Sequence, residues 1–268
     1  MDAKDLRNVV ILGHTGSGKT SLSEAALFHT KAITRLGTIT DGNTVSDFEP
    51  EEIKRGGSIQ TTLVSIMDRD TKINFLDTPG YDDFLGEVVS AIRVVEGAAV
   101  VVSAPTGVDV GTERAWKMCD AAQIPRMFVV NKMDRENANF AKNVADIQAS
   151  FGRKCIPFQV PLGEANEFKG VISIIDPPSD IPEEVVADVE SARERLIEAA
   201  AENDDELGDR YLNGLEISHE EIIAAIRTAI RTSNLVPILA TSSSPNAIGI
   251  DELLPVSYTH LRAHETDS

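Results

Sequence analysis

Gly13-His14-Thr15-Gly16-Ser17-Gly18-Lys19-Thr20 is the stretch that decides the fold. It has the spacing G-x-x-x-x-G-K-[ST], a turn whose backbone N–H groups close around phosphate oxygens. Asn8-Val9-Val10-Ile11-Leu12 precedes it, an apolar, β-branched run that predicts a buried strand. Ser21 to Phe28 follows, with its apolar residues spaced as on one face of a helix. Gly16 and Gly18 let the backbone approach phosphate without Cβ clashes. A helix starting near Lys19 aims its positive end at the same group. The expected cradle is therefore Gly13, His14, Thr15, Gly16, Ser17, Gly18, Lys19 and Thr20. Lys19 is expected to reach the β- and γ-phosphates, and the Thr20 hydroxyl to hold Mg²⁺.

Working outward, residues 31–57 are rich in Gly, Thr, Asp and Glu and have weak periodicity. They read as a surface loop or as a segment that orders around γ-phosphate and Mg²⁺. At its end, Ser58 is the hydroxyl best placed to be a second Mg²⁺ ligand. Thr61 to Met67 and Lys72 to Leu76 are β-rich runs around the turn Asp68-Arg69-Asp70-Thr71 and predict a hairpin. The second run ends in Asp77-Thr78-Pro79-Gly80. Asp77 at a strand's C-terminal end is placed to hold Mg²⁺, directly or through water, and the Gly80 N–H to face the γ-phosphate.

Residues 83–95 read as helix, 97–103 as a continuous apolar strand, 109–123 as helix and 126–130 as strand. That strand ends in Asn131-Lys132-Met133-Asp134, and this N-K-x-D selects the base. The Asp134 carboxylate can accept from N1–H and the 2-amino group of guanine, donors that adenine lacks at those positions. Asn131 buttresses the loop, and the Lys132 stem lies along the ring and the phosphate loop. Residues 137–151 read as helix, 158–160 and 171–175 as strands, 183–202 and 220–232 as amphipathic helices joined through Asn213-Gly214. Asp204-Asp205-Glu206 reads as a solvated face. Val236 to Ala240 is again an apolar strand. If it rejoins the first sheet, Ser242 and Ser243 lie beside the base. A helix beginning at Asp251 is expected to stop after about one turn.

The chain of 268 residues carries a net charge of −18, which excludes a broad basic nucleic-acid surface. The acid is uneven. Pro161 to Val236 holds 18 Asp+Glu against 6 Lys+Arg, which suggests a separate module with its own partner. Cys119 and Cys155 have no metal or redox spacing and read as idle thiols in a reducing compartment. No apolar leader follows Met1, and the longest apolar run is too short to cross a bilayer. The expectation is a cytoplasmic protein with no DNA and no membrane partner.

Together these motifs resemble the G domain of bacterial elongation factor G and its close paralogues. The resemblance rests on Asn131-Lys132-Met133-Asp134-Arg135 with Ala138-Asn139-Phe140, on Gly107-Val108-Asp109 through Trp116, on Leu196 to Glu202 with Tyr211-Leu212, and on Val236 to Leu239 with Ser242. It covers residues 6 to 254. It implies an α/β fold, a Ras-like P-loop GTPase with a mostly parallel sheet and an inserted α+β G′ subdomain. The G domain would be 1–157 and 237–255, and the insert 158–236. GTP or GDP and Mg²⁺ are the implied ligands. Lys19, Gly80 and Tyr81 are the implied catalytic set, and Thr20, Ser58 and Asp77 the implied metal ligands. Ribosome-stimulated GTP hydrolysis by a monomer follows, with G′ meeting the stalk proteins of the large subunit at the factor-binding site.

Four departures from the family pattern stand out. Tyr81 replaces the family's water-positioning His. With a pKa of about 10 it donates a hydrogen bond but takes no proton at neutral pH. Gly57 replaces an apolar residue that shields the γ-phosphate. Gly16 replaces an Asp of the phosphate loop. Residues 176–193 are shorter than the family's, which predicts a G′ lacking part of its sheet. The first two resemble a paralogue of the factor, and they leave a slowly hydrolysing GTP-bound switch as the alternative. Val256 to Thr266 resembles the translation of a sequencing-library adapter. Residues 256–268, with His260 and His264, are therefore set aside, and the native gene is expected to continue into later domains.

Overall fold

The computed structural model of the chain describes residues 5–243 and 245–259. The strands are β1 (Leu6–Leu12), β2 (Thr62–Asp68), β3 (Thr71–Asp77), β4 (Gly97–Ser103), β5 (Arg126–Asn131), β6 (Cys155–Pro157), β7 (Gln159–Leu162), β8 (Gly170–Ser173) and β9 (Val236–Ala240). Seven of them form one sheet in the order β2-β3-β1-β4-β5-β9-β6. Only β2 runs antiparallel, paired to β3 from Thr62↔Asp77 to Asp68↔Thr71. All other neighbours are parallel. Strands β4, β5 and β9 are buried along their whole length, as expected of central parallel strands covered on both faces.

Alternate residues of each strand enter opposite layers. Val9, Ile11, Ala99, Val101, Met127 and Val129 face α1 (Lys19–His29) and α9 (Ile250–Thr259). Val10, Leu12, Val100, Val102, Phe128 and Val130 face α3 (Leu85–Ile92), α4 (Val110–Ala122) and α5 (Phe140–Phe151). Each such Val or Ile contributes on the order of 2 kcal/mol on burial. The loops at the C-terminal ends of the central strands therefore sit on a rigid floor. Between β6 and β9 the chain makes the β7–β8 hairpin and three helices, α6 (Val186–Ala201), α7 (Asp205–Leu212) and α8 (His219–Arg231). Leu196, Ala200, Ile226 and Ile230 of these helices pack in the same apolar cluster as α1 and α9.

Several elements differ from the sequence reading. Residues 31–57 are not loop throughout: they contain α2 (Pro50–Arg55). Pro50 at its first turn, a reciprocal Glu49–Glu52 capping box and a left-handed Gly56 at its C-terminal end stabilise so short a helix. The helix expected over 83–95 is a 3₁₀ turn, Asp82–Phe84, followed by α3. Strand β6 is too short to leave a periodic signal. The acidic run at 204–206 is solvated as read, with Asp204 and Glu206 exposed, but it also opens a helix: the Asp204 carboxylate accepts from the Leu207 N–H at 3.0 Å and caps α7. The last helix does not stop after one turn. It continues to Thr259, and Val256 and Ser257 are buried, because α9 finds apolar surface against α1. His260 and His264, with the rest of 260–268, lie outside the described residues.

Candidate functional site

Three loops at the C-terminal ends of β1, β3 and β5 meet the loop after β9. In the first, Gly18 is the residue before α1 and has a φ of 99°, in the left-handed region. A Cβ there would stand 2.4 Å from Asn131 Nδ2, so the absence of a side chain lets the two loops touch. The Ser17 N–H closes the turn on the His14 carbonyl at 3.2 Å. The Ser17 hydroxyl is buried with no hydrogen-bond partner. Lys19 is 6% exposed, and its ammonium donates to the carbonyls of Gly13 and His14, each at 3.0 Å. Burial lowers its pKa to about 8, against the pull of Asp77, Asp109 and Asp47.

Thr20, Ser58 and Asp77 come together from three segments. Ser58 Oγ donates to Asp47 Oδ1 at 2.6 Å. A hydroxyl has one proton, so the 3.2 Å contact between Thr20 Oγ1 and Ser58 Oγ has Thr20 as donor. Asp77 is fully buried at the end of β3, and both its carboxylate oxygens lack a hydrogen bond. Burial pushes its pKa up to about 6, and Lys19 opposes this. Two hydroxyls beside an orphaned carboxylate make an all-oxygen donor set, the chemistry that suits Mg²⁺.

Gly80 is backed onto the phosphate loop. A Cβ there would meet Lys19 Nζ at 2.5 Å and the Thr15 nitrogen at 2.7 Å. Tyr81 follows, with the Arg55 guanidinium 4.4 Å from its ring centroid. A hydrogen bond with Thr15, and then the nearby Arg55, draw its phenol below the ordinary value. Tyr81, Gly80, Lys19, Thr20, Ser58 and Lys132 line one cleft of about 120 Å³.

The base side is organised by Asn131, which is 1% exposed. Its Oδ1 accepts from Ser243 N at 3.1 Å, Ser243 Oγ at 2.9 Å and Thr241 Oγ1 at 3.2 Å. Its Nδ2 points back to the Ser17 and Gly18 carbonyls, each at 3.4 Å. Lys132 turns the chain with a φ of 64°, and its ammonium donates to the Gly16 carbonyl at 2.6 Å. The Asp134 carboxylate accepts from Ser242 Oγ at 2.7 Å, and its other oxygen lies 3.4 Å from the Arg135 guanidinium. Because β9 pairs with β5, Ser242 and Ser243 do lie beside this loop.

The sequence reading does not single out the carboxylates that shape residues 37–60. Glu24 is 1% exposed and accepts from the N–H groups of Gly37 at 3.0 Å and Val45 at 2.9 Å. Glu52 accepts from those of Ile59 at 2.9 Å and Gln60 at 3.2 Å. Asp47 fixes Ser58. A Pro-Glu-Glu run closed by Gly56 is a cap signal that could have located α2 and Glu52; nothing local marks Glu24 or Asp47.

Comparison with known proteins gives a consistent picture. The elongation factor Tu GTP binding domain matches residues 4–263. Elongation factor G of Thermotoga sp. (strain RQ2) is 36% identical over 275 residues, covering 97% of this chain and 39% of that protein. Elongation factor G of Mycoplasma genitalium is 37% identical over 268 residues, covering 95% of this chain and 39% of that protein. A solved structure from Thermus thermophilus superposes with a TM-score of 0.90 at 32% identity, over 97% of this chain and 41% of that one. The chain spans about two fifths of the length of the curated relatives it matches.

Proposed function

This chain belongs to the elongation factor Tu GTP-binding domain family, and from that premise we propose that it is the GTP-binding and GTP-hydrolysing part of a ribosomal translation factor of the elongation factor G kind. The observation that carries the reading is the guanine loop. Asn131 ties it to the phosphate loop on one side and to Ser243 on the other, and Ser242 and Arg135 fix the Asp134 carboxylate in the same loop. An acceptor pair at that position matches the two donors on the Watson–Crick edge of guanine.

In this reading Lys19 swings from the Gly13 and His14 carbonyls onto the β- and γ-phosphates, whose charge restores its ordinary basicity. Thr20, Ser58 and Asp77 would hold Mg²⁺, with Asp47 orienting Ser58, and the metal would supply positive charge to offset that of the phosphates. The Gly80 N–H faces the γ-phosphate. Tyr81 orients the attacking water by donating a hydrogen bond, since a phenol cannot take its proton at neutral pH. Residues 1–157 and 237–255 form the G domain. Residues 158–236 form an inserted subdomain whose acidic surface meets the factor-binding site and stalk of the large ribosomal subunit. The factor acts as a cytoplasmic monomer in translocation or recycling, without DNA or membrane. Among the described residues no helix is long and apolar enough to cross a membrane.

Tyr81 and Gly57 favour a second reading, a GTP-loaded switch that hydrolyses slowly. Single-turnover hydrolysis with and without ribosomes separates the two. The guanine assignment is tested by Asp134→Asn. The amide donates where the carboxylate accepted, so preference shifts from GTP to xanthosine triphosphate; unchanged GTP affinity would sink the assignment.

A further inference from the structure

The wall of the phosphate cleft contains three residues whose fit is mutual. Gly57 lies outside the left-handed region, so its backbone does not demand glycine. The ring limits the space instead: a Cβ at Gly57 would stand 3.1 Å from Tyr81 Cε2, tighter than ordinary van der Waals contact, and 3.9 Å from the phenol oxygen. The Tyr81 ring also carries the Arg55 guanidinium, 4.4 Å from its centroid. That guanidinium lies 5.2 Å from the Phe84 centroid and 3.7 Å from the Asp83 carboxylate. Arg55 thus ties the end of α2 to the segment that follows Gly80. A Cβ at Gly80 would overlap Thr15 and Lys19, so the backbone before Tyr81 runs close against the phosphate loop.

We propose that Gly57 admits the Tyr81 ring to the terminal-phosphate end of the cleft, and that Tyr81, held there by Arg55, is a positioning gate governing how long a nucleoside triphosphate stays bound. The inference rests on the reading that this cleft takes GTP. The terminal phosphate is what GTP has and GDP lacks, and it is the group that Gly80 and Tyr81 face. Opening that end requires the ring to leave Gly57, the guanidinium and the hydrogen bond with Thr15. The gate therefore acts on the triphosphate and leaves the diphosphate nearly untouched.

The test is stopped-flow release of fluorescent, ribose-labelled GDP and of a ribose-labelled non-hydrolysable GTP analogue from the full chain. Gly57→Val, which drives a branched side chain into the ring, and Tyr81→Ala, which removes it, are each expected to speed release of the triphosphate about five- to tenfold. Release of GDP is expected to change less than about twofold. The double variant releases the triphosphate no faster than either single one, because both changes open the same contact. Gly57→Ala places only a methyl group at 3.1 Å and is expected to fold and to speed release about twofold. Equal acceleration of GDP and triphosphate, multiplied effects in the double variant, or no acceleration in either Gly57 variant overturns the gate. A wild-type chain that binds labelled adenine analogues as well as guanine ones removes the GTP reading instead.

Discussion

Replacing Asn131 with Ala dismantles the junction between the base loop and the phosphate loop. The side chain is 1% exposed, and its Oδ1 accepts from one backbone N–H and two hydroxyls. The hydroxyls of Thr241 and Ser243 can rotate toward other acceptors; the Ser243 N–H cannot. A buried donor left unpaired costs about 1–3 kcal/mol. Adding the lost support for the hydroxyls brings the expected cost to about 2–4 kcal/mol. For a chain of this size that lowers the thermal midpoint by about 4–16 °C. The measurement is thermal unfolding by circular dichroism without nucleotide, so that structural and binding effects do not mix. Ser243→Ala is the internal comparison. It keeps the N–H bond and loses one hydroxyl contact, so its cost is expected near 1 kcal/mol. A loss below about 0.5 kcal/mol for Asn131→Ala, or an equal loss for the two variants, would refute the assignment of Asn131 as the tie between the loops.

Three further outcomes follow from the structure. At Gly111 a Cβ would meet the His14 Cα at 2.7 Å. Gly111→Ala should therefore push on the phosphate loop, costing about 1–3 kcal/mol and weakening nucleotide binding more than tenfold; isothermal titration showing native affinity would refute this. Burial pushes the thiols of Cys119 and Cys155 up to about 12, so neither ionises at pH 8. A thiol reagent should find no reactive cysteine in the native chain and both in urea, and fast native labelling would count against the packing. Arg210 first, and then Ser218, hold the Glu221 carboxyl at about 2, below its ordinary 4.5. A depressed acid contributes stability that is whole above pH 4.5 and is lost as pH falls through 2. The fall in thermal midpoint from pH 5 to pH 2 should accordingly be smaller in Glu221→Gln than in the parent chain; an equal fall would discount the pair.

What the sequence displays is whatever its chemistry writes locally. The phosphate loop, the strands that end in Asp77 and Asn131, and the apolar runs of β4 and β9 each carry their signal within about ten residues. What it hides depends on distant partners. Asp47 and Glu52 look like solvated acids in a polar loop, and Glu24 like a charge on the first helix; only the folded chain shows that all three are buried and accept hydrogen bonds from N–H and O–H groups of residues 37–60. Asp204 reads as surface charge until the Leu207 N–H is seen to need it. Gly57 looks like a lost side chain until the Tyr81 ring is found in its place. The end of α9 escapes a reading of the pattern alone, because packing against α1 sets the helix's length.

The position of β9 has a consequence for the time course of synthesis. It is the last strand among the described residues, yet it lies inside the sheet, between β5 and β6. Until it emerges, β5 presents Phe128, Val129 and Val130 on an open edge, and β6 has nothing to pair with. About a hundred residues separate the end of β5 from the end of β9, which at ordinary elongation rates is on the order of ten seconds. An exposed apolar edge of that duration invites pairing with the wrong strand. The same interval delays the base loop, because Ser242 and Ser243 follow β9. A nascent chain thus completes the loop after β1 early, and the junction of Asn131 with Ser243 only when the sheet closes.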